Sequence, residues 1–318
     1  MISGKSYDVI IVGSGPAGLS AAVSLKKAGI KNVLVVEREP VAGGTVRHCG
    51  HRSFGLLEFQ RLLTGANYAK KIREEAKKYE VQVKTKVTVT QYLPAGEIGF
   101  ISPEESGTVS AKRVLITTGL REATRSARLV SGQRPMGVMT TAAFQSMIYL
   151  EDKLPCRRPV IVGSEIVSFS ALMTAKHFKM KPVAMVENNS KMTFLPWVFN
   201  KIVSLFFTPL YLNSKVVGIT GDQRVESVVI EDKRGERTKL PCDGVIFTGE
   251  FVSHSTLVKT SHLEIDNNTT SPEVDQDGRC SDSSYYATGN VLMPFKTGGK
   301  CWRLGRKIGR IIADDLKR

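Results

Sequence analysis

The sequence predicts an α/β fold, and two matching stretches carry that prediction. Residues 11–20 read IVGSGPAGLS, and residues 161–170 read IVGSEIVSFS. Each follows an apolar run of strand length and leads into a helix. Each helix is followed by a second apolar strand that ends on a carboxylate, Glu37 in the first case and Glu187 in the second. Strand, turn, helix and strand alternating in this way point to a sheet with helices packed on it.

In the first unit, YDVIIV (7–12) enters the turn Gly13-Ser14-Gly15-Pro16-Ala17-Gly18, and the helix LSAAVSLKKAG ends at Gly29. The strand NVLVVE then closes on Glu37. The turn has the GxGxxG spacing of a Rossmann-like dinucleotide-binding unit. Gly13 permits the tight turn, Gly15 lets a pyrophosphate approach the backbone, and Gly18 lets helix and strand pack closely. The pyrophosphate would meet unsatisfied amides at the positive end of the helix. Glu37 can accept hydrogen bonds from ribose hydroxyls.

The chain has 318 residues, 42% hydrophobic and 24% charged, enough for one large or two medium globular domains. The N-terminal MISGKSYDVIIVG runs directly into the glycine turn, so a first strand is expected there and not a signal peptide. Five cysteines, at 49, 156, 242, 280 and 301, show neither a disulfide framework nor metal-ligand spacing. No metal is expected, and the expected location is a reducing cytoplasm. The formal charge of +15 is spread over short Lys and Arg pairs without interleaved aromatics, which argues against a nucleic-acid partner. Solvated lysine faces account for the charge, as would an acidic protein partner or an anionic membrane surface. The aromatic segment 194–212 contains Lys201 and two prolines and does not span a bilayer. It reads as a helix buried between domains, or as a peripheral-membrane or partner-docking helix.

Glycine spacing alone does not separate FAD from NAD. The surroundings are more specific: REPVAGGT follows Glu37, VQVKTKVTV (81–89) alternates as a strand, and PEESG marks a hairpin turn. RVLITTGLRE (113–122) is a further buried strand, SYYATGNVL (284–292) another, and TGGKCWRLGRKIGRIIADDL a final helix. With GSGPAG, the Glu37 tip, the GG pair, TTG (117–119), FTGE (247–250) and ATGN (287–290), the chain resembles flavoproteins of the pyridine-nucleotide–disulfide oxidoreductase superfamily. In size it is similar to the low-molecular-weight thioredoxin reductases.

The resemblance implies two Rossmann-like dinucleotide-binding domains, the second inserted in the first. The FAD-binding domain would comprise 1–122 and 251–318, and an NAD(P)-binding-like domain would comprise 123–250. Carried over residue by residue, Gly13, Ser14, Gly15, Pro16, Ala17 and Gly18 hold the FAD pyrophosphate. Glu37, with Arg38 beside it, meets the ribose. Gly44 and Thr45 lie along the ribityl–flavin stretch, and Val87 offers its backbone to adenine. Thr118 and Gly119 belong to the TTG turn, and Asn290 stands where an aspartate is usual. The N-terminus of the last helix would face the flavin N1–O2 edge and stabilise the anionic reduced form.

The second turn departs from this pattern. Gly163-Ser164-Glu165-Ile166-Val167-Ser168 keeps only the first glycine. Ser168 can stand in at the close-packing position, but Glu165 brings a side chain and a negative charge to the phosphate position. Like charges roughly 4 Å apart cost on the order of 1–4 kcal/mol there. Either ordinary NAD(P) binding is lost, or the glutamate rotates away and NAD(H) binds more loosely. In the second case Glu187 favours NAD over NADP.

The redox CxxC of the superfamily's disulfide reductases is absent, and the isolated Cys49 and Cys301 read as packed thiols. GGTVRHCGHRSFGLLEF (43–59) is the densest polar cluster, and Arg47 and His48 are the candidate catalytic residues within it. They either contact the flavin or an anionic ligand, or belong to a surface loop folded over FAD. This stretch, the SEIVS turn and CWRLGR resemble the FAD subunits of opine, sarcosine and related amine or hydroxy-acid dehydrogenase systems. That resemblance implies electron transfer with a second flavoprotein or dehydrogenase subunit. The alternatives are a stand-alone NAD(P)H-dependent flavin reductase and a non-catalytic FAD-binding scaffold.

Overall fold

A computed structural model describes residue 2 and residues 4–193 and 208–318. Most of the aromatic segment expected to form a docking or buried helix, 194–207, lies outside the described residues. The chain divides into two compact units. One comprises Met1–Arg47, Arg52–Arg121 and Val252–Arg318, and the other His48–His51 and Glu122–Phe251.

The first unit is built on a sheet whose parallel strands run in the order Gln82–Lys84, Val33–Val36, Ser6–Val12, Ser106–Ile116 and Tyr285–Ala287. All four residues of Val33–Val36 are buried, as are Val9 to Val12. Continuous apolar runs of this kind mark strands covered on both faces. The beginning of Ser106–Ile116 pairs antiparallel with Glu97–Ile101, which in turn pairs with Thr88–Leu93. The alternating stretch 81–89, expected as one strand, is two. Gln82–Lys84 lies parallel at the sheet edge, Lys86 turns the chain at φ 58°, and Thr88–Leu93 enters the antiparallel hairpin. Alternation continues through both pieces, so the pattern does not reveal the break.

The last helix, Gly298–Asp315, packs across the first helix, Pro16–Lys27. Its buried face is Cys301, Trp302, Gly305, Ile308, Gly309, Ile312 and Ala313, a helical repeat opposite an arginine-rich exposed face. The two backbones meet at the glycines. A methyl group on Gly305 would lie 2.1 Å from both Ala17 O and Ser20 Oγ, and one on Gly309 would lie 2.7 Å from Ala21 O. Gly305→Val is therefore expected to lower unfolding stability by about 1–3 kcal/mol or more through overpacking, measured by urea titration. An unchanged midpoint would mean that the helices separate at no cost.

In the second unit, five parallel strands run in the order Val138–Thr140, Gly244–Phe247, Pro159–Val162, Ala184–Val186 and Leu210–Tyr211. The helix Thr141–Tyr149 starts at Thr140, whose hydroxyl accepts from the Ala143 amide at 3.4 Å. It packs with Ile166–His177 over Phe144, Ile161, Leu172 and Met185. On the other face, Ser214–Thr220, Ser227–Asp232 and Arg237–Pro241 form an antiparallel sheet, and Val160, Val186, Val228 and Phe247 fill the space between. The molecule is α/β, and each unit contains the strand–turn–helix–strand crossover that the two matching stretches predict.

Candidate glycine-turn sites

The two turns are built on one plan, down to single hydrogen bonds. In the first unit Gly13 has φ 106° and its amide donates to Val36 O at 2.9 Å; in the second, Gly163 has φ 123° and its amide donates to Val186 O at 2.8 Å. Both conformations are open to glycine and strained for other residues. The serine that follows ties the turn to the acidic strand tip. Ser14 Oγ donates to Glu37 Oε2 at 2.6 Å, and Ser164 Oγ donates to Glu187 Oε2. The other carboxylate oxygen of each acid accepts a backbone amide two residues on, from Glu39 at 2.9 Å and Asn189 at 2.8 Å. Thr117 and Thr248 close the plan. Each donates its hydroxyl to the last carbonyl of the first strand, Val12 at 2.9 Å and Val162 at 2.8 Å.

The plans diverge where a phosphate would rest. Gly15 caps the first helix in an extended conformation, and a methyl group on it would meet nothing within 4 Å. This glycine is therefore not required by packing within the protein. Gly18 is: a methyl there would lie 2.0 Å from Gly13 O, so helix and strand touch. The helix has no side-chain cap, which leaves its N-terminus available to an anion. Gly43 and Gly44 complete the seat. The Gly43 amide donates to Ser14 O and Oγ, both at 3.1 Å, and a methyl on Gly44 would lie 2.8 Å from Gly15 Cα. An open, glycine-lined helix N-terminus of this shape fits a dinucleotide pyrophosphate.

In the second turn that space is filled. Glu165 caps the helix with nearly the same backbone, φ −80° against −69° for Gly15. Its carboxylate folds inward, where Oε2 lies 2.9 Å from both Ser168 Oγ, which can donate to it, and Thr248 Oγ1, whose single proton goes to Val162 O. It lies over the backbone that a phosphate would approach: a methyl on Gly163 would be 2.6 Å from Oε2, and one on Gly249 2.3 Å from Oε1. Ser168 and Thr248 also bond to each other at 2.6 Å. Arg128, 7% exposed at its side chain, holds the neighbouring turn by donating to the carbonyls of Ala123, Thr248 and Gly249 and pairing with Glu250 at 3.1 Å.

The other expected ligand-contact residues have varied surroundings. Arg38 is exposed and lies 3.7 Å from Glu39, and Thr45 is exposed in the short 3-10 helix Gly44–His48. The Val87 amide donates to Glu37 O at 2.9 Å, which leaves its carbonyl to offer a ligand. The Thr118 hydroxyl donates to His254 O, and the Gly119 carbonyl accepts from the His254 amide. Asn290 spans the loop before the last helix: its Oδ1 accepts from the Lys296 amide at 2.7 Å and its Nδ2 donates to Lys296 O at 2.9 Å. The asparagine is thus a loop clamp at the position expected to face the ribityl chain.

The two catalytic candidates fall in different units, Arg47 in the first and His48 in the second. In the second unit, His51 Nδ1 lies 2.9 Å from Ser170 Oγ, which accepts from Gln145 Nε2 at 2.7 Å. That hydroxyl can donate its own proton to a neutral ring. Burial holds His51 below the ordinary histidine value, and burial followed by Arg38 and Arg121 does the same for His254. A lowered folded value means that the unfolded chain takes up the proton first. Stability from this source is full above about pH 6.5 and is lost as pH falls from there toward the folded value. His51→Gln is expected to flatten the urea midpoint between about pH 7 and 5, the window in which an unperturbed histidine charges. An unchanged slope would exclude His51 as the group responsible.

None of the five cysteines is in a disulfide. Burial pushes Cys49, Cys156 and Cys280 up to about 12, and Cys242 and Cys301 to about 11; Glu122 adds to the effect on Cys49. These thiols stay protonated near neutral pH and are poor nucleophiles. Among the described residues, no group of three or more His, Cys, Asp and Glu is placed to hold a metal, and no helix is long and apolar enough to cross a membrane.

Sequence reasoning missed the hydroxyl staples Ser14–Glu37, Ser164–Glu187 and Thr117/Thr248. Their signal is present in the doubled IVGS and in the threonine that directly follows a strand of each unit, Thr117 after Ile116 and Thr248 after Phe247.

The chain is similar to known proteins in sequence and in fold. One component of the alkyl hydroperoxide reductase of Pseudomonas aeruginosa is 23% identical over 300 residues, covering 92% of this chain and 54% of that protein. One component of the opine oxidase of Agrobacterium tumefaciens is 24% identical over 315 residues, covering 89% of this chain and 61% of that protein. The chain therefore spans between about half and three fifths of the length of these curated relatives. In fold it is similar to the thioredoxin reductase of T. acidophilum, with a TM-score of 0.80, 23% identity and coverage of 98% of this chain and 99% of that one. The family model described as pyridine nucleotide-disulphide oxidoreductase matches residues 7–309, a span that takes in both glycine turns. The chain belongs to the pyridine nucleotide-disulphide oxidoreductase family.

Proposed function

We propose that this member of an FAD-dependent oxidoreductase family binds FAD at the first glycine turn and takes its electrons from, or gives them to, a protein partner and not NAD(P)H. The observation that carries this reading is the contrast between the turns. Gly15 leaves the first phosphate seat open, whereas the second is filled by the Glu165 carboxylate, which lies against two hydroxyls. In this reading the FAD-binding domain comprises 1–122 and 251–318, and 123–250 is an NAD(P)-like domain kept for its packing. When bound, FAD supplies hydride or electron transfer at its flavin ring. The chain's own residues bind and orient the cofactor: Gly13 to Gly18 and the helix N-terminus take the pyrophosphate, and Glu37 takes the ribose by exchanging its bond to Ser14.

The partner is proposed to be a second flavoprotein or dehydrogenase subunit of an amine, opine or hydroxy-acid oxidising system. The resemblance to a protein named as one component of opine oxidase supports this. The absence of a CxxC, together with five buried or half-buried protonated thiols, argues against a dithiol relay. A stand-alone NAD(P)H-dependent flavin reductase is the second reading. It is favoured by the intact crossover and acidic tip at Glu187, and it requires Glu165 to swing out.

Anaerobic titration of the flavin-loaded chain with NADH and NADPH decides between them. No bleaching at millimolar donor is expected. Rapid stoichiometric bleaching would overturn the proposal and establish the second reading.

A further inference from the structure

We propose that Arg47 and Arg73 form a guanidinium pair that grips the diphosphate of the dinucleotide in the first unit, an assignment that rests on the FAD reading. Both side chains converge on Gly43. A methyl group there would lie 3.2 Å from Arg47 Cγ and 3.2 Å from Arg73 Nη1. Gly43 is the residue whose amide bonds to Ser14 in the glycine turn, and Gly44 next to it lies against Gly15. The pair is thus fastened to the backbone on which a diphosphate would rest.

Its charge is poorly balanced within the protein. The Arg47 side chain is 12% exposed and its Nε is buried without a hydrogen-bond partner. The nearest carboxylate, Glu39, stands 3.8 Å from Nη2 and is itself half-exposed. Arg73 spends Nη1 on the Ala42 carbonyl at 2.9 Å, a bond that anchors the side chain but leaves its charge in place. Among the described residues, no carboxylate lies within ion-pair distance of Arg73. Burial, and then Arg47, hold Arg73 below the ordinary arginine value. Two half-buried cations that repel one another, one with an orphaned donor, call for a multiply charged anion with several acceptor oxygens. Guanidinium forks match phosphate oxygens in geometry. A diphosphate fits this demand and would be in place on the adjoining turn.

The test uses the full chain carrying FAD, with Arg47→Met, Arg73→Met and Arg73→Lys variants. FAD dissociation is followed on serial dilution by the fluorescence of released flavin, and riboflavin, which lacks the diphosphate, is titrated in parallel. Each Met variant is expected to bind FAD roughly ten- to a hundredfold more weakly. Riboflavin affinity should not change, and the Lys variant should recover part of the loss. Equal FAD affinity in the Met variants would overturn the pair while leaving the FAD reading intact. So would a parallel loss of riboflavin affinity, which would indicate a loosened fold. If inorganic pyrophosphate protected the natural chain, but not the Met variants, against heat while FAD affinity was unaltered, the pair would serve a separate phosphorylated ligand and the assignment would fail. A natural chain that retains no FAD would overturn both readings.

Discussion

The Glu165→Gly variant is expected to be reduced by NADH under anaerobic conditions at least ten times faster than the natural chain. Removing the carboxylate removes a like charge next to an approaching diphosphate, an effect on the order of 1–4 kcal/mol, or roughly five- to several-hundredfold. It also empties the volume over Gly163 and Gly249, which Oε2 and Oε1 now occupy. The turn should survive. Ser168 Oγ and Thr248 Oγ1 remain bonded to each other at 2.6 Å and Thr248 keeps Val162 O, so no buried hydroxyl is orphaned. Glycine also suits the extended cap position that Glu165 occupies. Loss of the charge-assisted hydrogen bond from Ser168 costs about 1.5–3 kcal/mol at most, and less because Ser168 can donate to Thr248 instead. The preference should be for NADH over NADPH, because the buried Glu187 would face a 2′-phosphate. Stopped-flow absorbance at the flavin band reads the rate. A variant as inert as the natural chain would mean that something other than Glu165 closes the second site.

Much of this was legible in the sequence because it rested on residues that act locally. A glycine that must take φ 106°, a glycine whose added methyl would lie 2.0 Å from a carbonyl oxygen, and an acid at a strand tip each leave a fixed spacing. Gly13, Gly18 and Glu37 stand at those spacings. The anomaly at Glu165 was equally visible, since it interrupts a repeated string. What the sequence does not carry is direction. Nothing in SEIVS tells whether the carboxylate points to solvent or inward. That is decided in space: the Ser168 hydroxyl three residues away can donate to it, beside Thr248, which is 83 residues away. Asn290 is a similar case: its identity points to a ligand contact, and nothing in ATGN shows that its amide also clamps the Lys296 backbone. Arg73 escaped notice because it lies in a lysine-rich amphipathic helix, where an arginine is ordinarily part of the solvated face.

The reciprocal exchange gives the sharpest test of the contrast between the turns. Gly15→Glu should weaken FAD binding by roughly two to three orders of magnitude, the effect of one like charge plus steric exclusion in a partly desolvated seat. The fold, however, should tolerate it. Gly15 is extended at φ −69°, a conformation any residue adopts, and a Cβ added to it meets nothing within 4 Å. A carboxylate at the start of a 12-residue helix is mildly favourable. Thr117 holds the place of Thr248, but Gly18 offers no hydroxyl in place of Ser168 to draw the carboxylate inward. The comparison must therefore be made between flavin-free proteins, because FAD itself stabilises the chain that binds it. Flavin-free Gly15→Glu should unfold within about 1 kcal/mol of the flavin-free natural chain, as expected for a substitution outside the core, and should purify colourless. A yellow, stoichiometric Gly15→Glu protein would show that a carboxylate in a glycine turn does not exclude a dinucleotide. The same result would remove the reason for assigning the second turn to packing, since the two turns share their backbone, their serine–acid staple and their closing threonine.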